Sequence, residues 1–328
     1  MSEEQNYDLT IVGGGLDPSA HLSWEACKTI REAKTICYHG AACAVSVEQW
    51  LSNLAKEASF IDLDAPNYQV GQQRPEMYRD TAAKIVELAR NGGVVSLEPG
   101  SALVTDLVTQ YALKLAEQAH LTARVLPGVS TLECMLVEFG LDPSSGLQIV
   151  LAQELVAKQI QLNPQCDSII IQPGYYDSLW WMGLVKSREN RYEELMRTLA
   201  RAFPSDAKMA MVRFPMLPGD ATHKFWFQLE ELPEVAPILT QLHTLFIPRV
   251  GAETRDPSFM QRIRSWEKSV RFVETDANGH PVQENSHPSN RTLVELEKGL
   301  PPKLLEQSAR WKREWRKDQV QRNLSRVE

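Results

Sequence analysis

The sequence predicts an α/β protein in which a parallel, doubly wound sheet is followed by a second sheet. Three observations carry this. Between residues 9 and 126, short apolar runs alternate with helical stretches, the order that builds βαβ units. Three of those runs end in glycine turns: Gly13-Gly14-Gly15, Pro99-Gly100 and Pro127-Gly128. Such turns put bare backbone amides at the carboxyl ends of parallel strands, where open α/β sheets bind ligands. A further series of strand-like runs begins after Leu141-Asp142-Pro143-Ser144-Ser145-Gly146, which reads as a linker.

Leu9-Thr10-Ile11-Val12 is the first strand, running straight into the triple glycine. Ser23–Ala33 reads as a helix capped by Ser23, with Leu22, Ala26 and Ile30 on one face. Thr35–Tyr38 is the second strand, Val47–Lys56 a helix and Phe60–Leu63 the third strand. Helix Pro75–Asn91 opens on proline and closes on Gly92-Gly93. Val94–Leu97 is a buried strand, Leu103–Ala119 a helix and Ala123–Leu126 a fifth strand. In the second series Leu147–Leu151, Ser168–Ile171, Lys208–Arg213, Phe225–Leu229 and Thr244–Ile247 are strand-like. Tyr192–Phe203 and Leu232–Leu242 read as helices. Regular patterning weakens from Val250. Asp276–Asn290 reads as a loop, and Leu304, Ser308, Trp311 and Trp315 fall at helical spacing on one face. The expected domains are therefore 1–140, 141–250 and a polar extension over 251–328.

With 328 residues, 43% of them hydrophobic and 23% charged, the chain can bury a sizeable core. The net charge of −7 argues against a general nucleic-acid binder. Residues 251–328 hold 15 Lys/Arg and 12 Asp/Glu, against 20 and 30 in the first 250, so the extension is chemically distinct. The five cysteines form no C-x-x-C pair, which favours a reducing cytoplasm over a disulfide framework. The opening Met-Ser-Glu-Glu-Gln is no secretory signal, and no apolar run reaches the ~20 residues a membrane span needs.

The glycine run is either a tight turn alone or a turn that also lines a ligand cleft. A dinucleotide fingerprint would need glycine at position 18, where proline stands. It would also need an acid after the second strand, where Tyr38-His39-Gly40 stands. No P-loop or G-x-S-x-G motif occurs, and the histidines show no metal-binding spacing, so no metal is expected. Ser130 reads first as the cap of the helix after it. Arg74 and Tyr78 are four apart at a helix start and share a face, with Tyr68 just upstream. A cation there is disfavoured by the helix dipole. The pair is thus either a surface arginine over a ring or a reacting pair, since a phenol beside a guanidinium can serve as base while the cation steadies an oxyanion.

In their order, Gly13-Gly14-Gly15-Leu16-Asp17-Pro18, Leu97-Glu98-Pro99-Gly100 and Pro127-Gly128-Val129-Ser130-Thr131 resemble the tetrapyrrole methylase superfamily, over about residues 7–250. That resemblance implies S-adenosylmethionine-dependent methyl transfer by two α/β domains, the second with a mixed sheet, and a helical or irregular C-terminal extension. Within the superfamily the chain is most similar to borosin-type peptide backbone N-methyltransferases, through Tyr68, Arg74 and Tyr78, Gly140-Leu141-Asp142-Pro143, Ala152-Gln153 and Leu242–Pro248. The resemblance implies that Arg74, Tyr78 and Tyr68 are catalytic. Gly13, Gly14, Glu98, Pro99, Gly100, Ser101, Ser130, Thr131, Gln153, Phe214, His243 and Thr244 would bind the cofactor. Ser96-Leu97-Glu98-Pro99-Gly100 departs from that subfamily's Tyr-Gly-His-Pro-Gly, and the polar C-terminal segment lacks an apolar core peptide. The expected substrate is accordingly a separate peptide and the expected assembly a homodimer, with residues 251–328 as a dimer clasp or a substrate-binding segment. The alternatives are a small-molecule or tetrapyrrole methyltransferase and a silent cofactor-binding scaffold.

Overall fold

The computed structural model describes residues 7–40, 44–183, 191–216, 220–251 and 256–267, with six positions between 302 and 314. Five parallel strands form the first sheet: β1 (Leu9–Gly13), β2 (Thr35–Tyr38), β3 (Ser59–Asp62), β4 (Val94–Glu98) and β5 (Ala123–Leu126), in the order β3-β2-β4-β1-β5. Strands β1 and β4 are buried along their whole length, as continuous apolar runs in a two-sided sheet should be. Alternate residues of β1 face opposite layers. Leu9 and Ile11 pack with Ile85 and Ala112, while Val12 packs with Ala26, Ile30 and Leu51.

Helices α1 (Pro18–His21), α2 (Trp24–Glu32), α3 (Ala44–Leu54), α4 (Asp64–Asn67), α5 (Arg74–Ala89), α6 (Leu107–Gln118) and α7 (Thr131–Phe139) connect and follow these strands. Ser23 caps α2 by accepting from the Ala26 amide at 3.1 Å, as its position predicts. The expected helix from Leu103 instead starts at Leu107. Thr105 adopts φ 59, and Asp106 accepts from the Thr109 amide at 3.0 Å and caps α6 there. The preceding loop of small and apolar residues is what made the helix look longer.

The second sheet holds β6 (Leu147–Leu151), β7 (Asp167–Ile171), β8 (Lys208–Arg213), β9 (His223–Gln228) and β10 (Thr244–Ile247), ordered β6-β7-β10-β8-β9. Strand β6 runs parallel to β7 and the other pairings are antiparallel, so the sheet is mixed. One face, with Ile170, Met209, Met211 and Leu245, packs on α8 (Ala152–Ala157), α9 (Glu193–Leu199) and α10 (Leu232–Val235). The other, with Ile169, Ile171, Val212 and Phe246, packs on Met135, Leu132 and Phe139 of α7 and on Leu16 and Val104. The helix expected over Leu232–Leu242 stops at Val235 and continues only as a 3-10 turn, Ala236–Ile238, because Pro237 has no amide to donate. Helix α8 carried no signal in the pattern.

Both sheets lie in the compact unit that runs to Gly251. A second unit, Ala252–Gln319, contains α11 (Pro257–Glu267). The loop expected over Asp276–Asn290 and the stripe of Leu304, Ser308, Trp311 and Trp315 lie outside the described residues. Among the described residues Cys27, Cys37, Cys134 and Cys166 are free, and no helix is long and apolar enough to cross a membrane.

Candidate active site

Three glycine turns meet at the carboxyl ends of β1, β4 and β5. Gly14 donates its amide to the Glu98 carbonyl at 2.7 Å, and Gly15 and Gly100 exchange backbone bonds at 2.9 Å. Gly128 lies so close that a Cβ there would stand 2.4 Å from both the Gly13 and the Gly100 carbonyl oxygens. Only glycine permits this approach. Pro99 packs near Gly40, Ser101 is half-buried just past Gly100, and Ser130 caps α7 in a reciprocal box with Glu133. Thr131 follows as the first residue of α7.

A cleft is lined from the first lobe by Arg74, Tyr78, Leu103, Thr105, Asp106, Leu107 and Gln110. Leu151, Gln153 and Gln172 line it from the second. Arg74 is buried although it starts a helix. Its Nε donates to the Tyr78 hydroxyl at 3.1 Å and its Nη1 to the Ser178 carbonyl at 3.0 Å, with the guanidinium 5.2 Å from the Tyr175 ring centre. The backbone ahead of α5 is stitched to the same segment. The Gly71 amide donates to Trp181, the Trp181 amide to Gln72 and the Arg74 amide to Leu179. The surface reading of Arg74 is thereby excluded.

Behind the cleft wall lies a buried polar group that the chain order did not suggest. Tyr38 pairs with Leu97 across β2 and β4, so His39 and Glu98, one step further on, stand opposite each other. His39 Nε2 pairs with Glu98 Oε2, both side chains being almost wholly buried. Glu98 Oε1 accepts from Ser96 Oγ at 2.6 Å, and the Asp106 carboxyl lies within 4.8 Å of the pair. His39 Nδ1 stands 2.9 Å from the Tyr68 hydroxyl, the rings stacked at 5.7 Å. Trp181 closes edge-on against Tyr68.

The electrostatics follow from this crowding. Burial opposes the His39 imidazolium, but the Glu98 carboxylate outweighs it, with help from Asp106 and Asp64, and raises His39 to about 9. Burial likewise works against the Glu98 carboxylate, yet the His39 charge and the bonds from His39, Ser96 and Asp106 hold it below the usual range. Burial, then the neighbouring Glu98 charge, raises Asp106 to about 7. Burial also takes the Tyr68 phenol well above 10, with the nearby Tyr78, Asp106, Glu98 and Asp64 charges adding to it. Glu98, anticipated at a cofactor wall, thus has its carboxylate engaged inward. His39 and Asp106 escaped notice, although His39 occupies the place after the second strand where an acid was sought.

The remaining positions are spread along the second lobe. Phe214 is buried against Met135 and Ile171, and Thr244 pairs with both Ile171 and Val212 at the start of β10. His243 Nδ1 accepts from the Thr240 amide at 3.0 Å. Burial, then the adjacent His223 and Arg213, lowers His243 to about 4 and keeps it neutral. Among the anticipated residues Arg74, Tyr78 and Gln153 line the cleft itself, while Tyr68 meets His39 and Trp181.

Fold and site together define a two-lobed α/β protein, with glycine turns at the carboxyl ends of β1, β4 and β5 and a cleft lined from both lobes that holds Arg74 and Tyr78. The chain belongs to the Tetrapyrrole (Corrin/Porphyrin) Methylases, whose family model matches residues 8–214. It is similar to the methyltransferase/ribosomally synthesized type I borosin cyclic peptide precursor mroMa1 of Mycena rosella, 26% identical over 80% of this chain and 65% of that one. To the methyltransferase/ribosomally synthesized cyclic peptide gymnopeptides precursor gymMA1 of Gymnopus fusipes it is 25% identical, over 78% of this chain and 60% of that one. The chain therefore spans less than two thirds of these relatives' length. Its fold is similar to uroporphyrin-III-C-methyltransferase from Thermus thermophilus, with TM-score 0.51 and 18% identity over 74% of this chain and 91% of that one. It is also similar to the methyltransferase CobJ, with TM-score 0.52 and 13% identity over 77% and 98%.

Proposed function

We propose that this chain transfers a methyl group from S-adenosylmethionine to backbone amide nitrogens of a separate ribosomal peptide. The observation that carries this reading is the Arg74–Tyr78 hydrogen bond at the cleft wall. The names of the relatives, which join a methyltransferase to a peptide precursor, support the substrate class. Gln110, Gln153, Gln172 and Thr105 would offer hydrogen-bond partners to the amino-acid, ribose or adenine groups of S-adenosylmethionine, and Leu103, Leu107 and Leu151 apolar surface to its adenine ring. Gly13, Gly14, Pro99, Gly100, Ser101, Ser130, Thr131, Gln153, Phe214, His243 and Thr244 would hold it, with Glu98 behind them.

When bound, the cofactor supplies an electrophilic methyl group. An amide nitrogen is a weak nucleophile until its proton leaves and charge moves to the carbonyl oxygen. Tyr78 takes that proton, directly or through Tyr68, and Arg74 steadies the charge on oxygen. Two of the Arg74 donors are held by Tyr78 and Ser178, which fixes the guanidinium plane before substrate arrives. The chain works as a homodimer in a reducing cytoplasm, with residues 251–328 as the clasp and 1–140 and 141–250 as the two enzymatic domains. The polar, charged composition of 251–328 makes it a poor substrate for its own site.

Mass spectrometry of apolar Val/Ile-rich peptides incubated with the chain and S-adenosylmethionine should show methyl increments. The Tyr78→Phe variant should show none while binding the cofactor with unchanged affinity. Unchanged turnover in that variant removes Tyr78 from its role. Methylation of a tetrapyrrole and of no peptide would transfer the reading to the family's namesake substrates.

A further inference from the structure

Ser96, Glu98, His39 and Tyr68 form an unbroken line of side-chain contacts from the interior of the first sheet towards the cleft. The order carboxylate, imidazole, hydroxyl is the arrangement in which an imidazole can draw a proton from a hydroxyl group. The strand register sets Glu98 opposite His39, and the edge of Trp181 fixes the Tyr68 ring that stacks on His39. The buried pair is also expensive to maintain. Taking an imidazole and a carboxylate out of water costs several kcal/mol per ion when both are charged, so a purely structural site would be better filled by apolar side chains.

We propose that His39, anchored by Glu98, is a positioning residue that accepts the Tyr68 hydroxyl proton and so makes Tyr68 the proton acceptor behind Tyr78. This rests on the methyltransferase reading above. In the competent state the His39 ring is neutral, with Nε2–H donating to Glu98 and Nδ1 accepting from the Tyr68 hydroxyl. As the substrate amide N–H breaks, its proton passes to Tyr78, whose own hydroxyl proton moves on to Tyr68. The original Tyr68 O–H breaks and its proton moves to His39 Nδ1. The ring becomes an imidazolium beside the Glu98 carboxylate, and charge is conserved. The proton returns to solvent between turnovers. The charged or titratable groups facing His39 are Glu98 from the end of β4, Asp106 from the cap of α6, Asp64 from α4 and Tyr68 from the loop after it.

This arrangement has a consequence that packing alone lacks. His39 must be neutral to accept a proton, and with Glu98 and burial acting together it loses its charge only near pH 9. Wild-type kcat should therefore rise with pH to a bend near 9. In Glu98→Gln burial remains but the carboxylate is gone, so the bend should move below the ordinary imidazole range, to under about 6.5. In His39→Gln the bend should vanish and the plateau should fall about 10²-fold.

The experiment measures kcat against pH for the full chain and both variants with S-adenosylmethionine and an apolar Val/Ile-rich peptide. It is paired with an NMR titration of the His39 imidazole in the full chain. A bend that tracks the His39 titration, near 9 in the wild type and below 6.5 in Glu98→Gln, supports the proposal. The titration reads the pair even in a variant that turns over slowly, and a bend that stays in place in Glu98→Gln overturns the proposal. So does wild-type turnover by His39→Gln, which leaves the methyltransferase reading standing. Should His39 titrate as stated while the wild-type chain methylates no peptide, the methyltransferase reading fails and takes the proton route with it.

Discussion

Gly128→Ala tests whether the three glycine turns form one unit. The added methyl would lie 2.4 Å from the Gly13 and Gly100 carbonyl oxygens and 2.5 Å from the Gly13 carbonyl carbon. Those atoms belong to backbone at the ends of two adjacent strands, which cannot swing aside as a side chain can. Overpacking of a tight site costs about 1–3 kcal/mol, and a clash with fixed backbone on two sides belongs at the top of that range, near ~3 kcal/mol. At about 2–4 °C per kcal/mol for a unit of this size, the melting temperature should drop by roughly 6–12 °C. Turns forced apart no longer present their amides together, so cofactor affinity should weaken about tenfold or more, the equivalent of ~1.4 kcal/mol. Gly92→Ala is the control. Gly92 has φ +77 but nothing within 4 Å of a Cβ, so only left-handed strain of about 1–2 kcal/mol applies and affinity should not change. Thermal unfolding followed by circular dichroism and calorimetric titration with S-adenosylmethionine read both quantities. If Gly128→Ala melts no lower than Gly92→Ala and binds the cofactor as tightly as the wild type, the turns are not in the contact described.

Two further outcomes follow from the second sheet. Asp167 accepts from the Arg249 amide at 2.9 Å, Nε at 3.2 Å and Nη2 at 2.7 Å, so Asp167→Asn should lower stability by about 2–3 kcal/mol, read from the urea midpoint. His243 is held near 4 in the folded chain against about 6.5 unfolded, so the unfolded chain binds the extra proton between those values. Stability should therefore be complete above pH 6.5 and be lost towards pH 4, by about 3 kcal/mol if His243 acts alone, and His243→Gln should flatten that limb of the melting-temperature profile.

The parallel sheet was legible because strands buried on both faces read as continuous apolar runs, as Leu9–Val12 and Val94–Leu97 do. Arg74 and Tyr78 were legible because four residues is one helical turn, so their meeting depends on nothing beyond α5. The His39–Glu98 pair was not. It depends on the β2–β4 register, which joins residues 59 positions apart and leaves no local spacing to count. Asp106 was hidden for a different reason: Leu103-Val104-Thr105 resembles the first turn of a helix until the positive φ of Thr105 shows that the chain has to turn before α6 starts. The mixed second sheet came from resemblance rather than from periodicity, since apolar runs do not record strand direction.

The seam between Gly71–Arg74 and Ser178–Trp181 has a mechanical meaning. The start of α5 is covalently part of the first lobe, but its amides and the Arg74 side chain are bonded to the second. Any hinge that parted the lobes here would have to break the Arg74–Ser178 bond and the three backbone bonds of the seam. The seam therefore ties the Arg74–Tyr78 end of the cleft to the second lobe by side chain and backbone together.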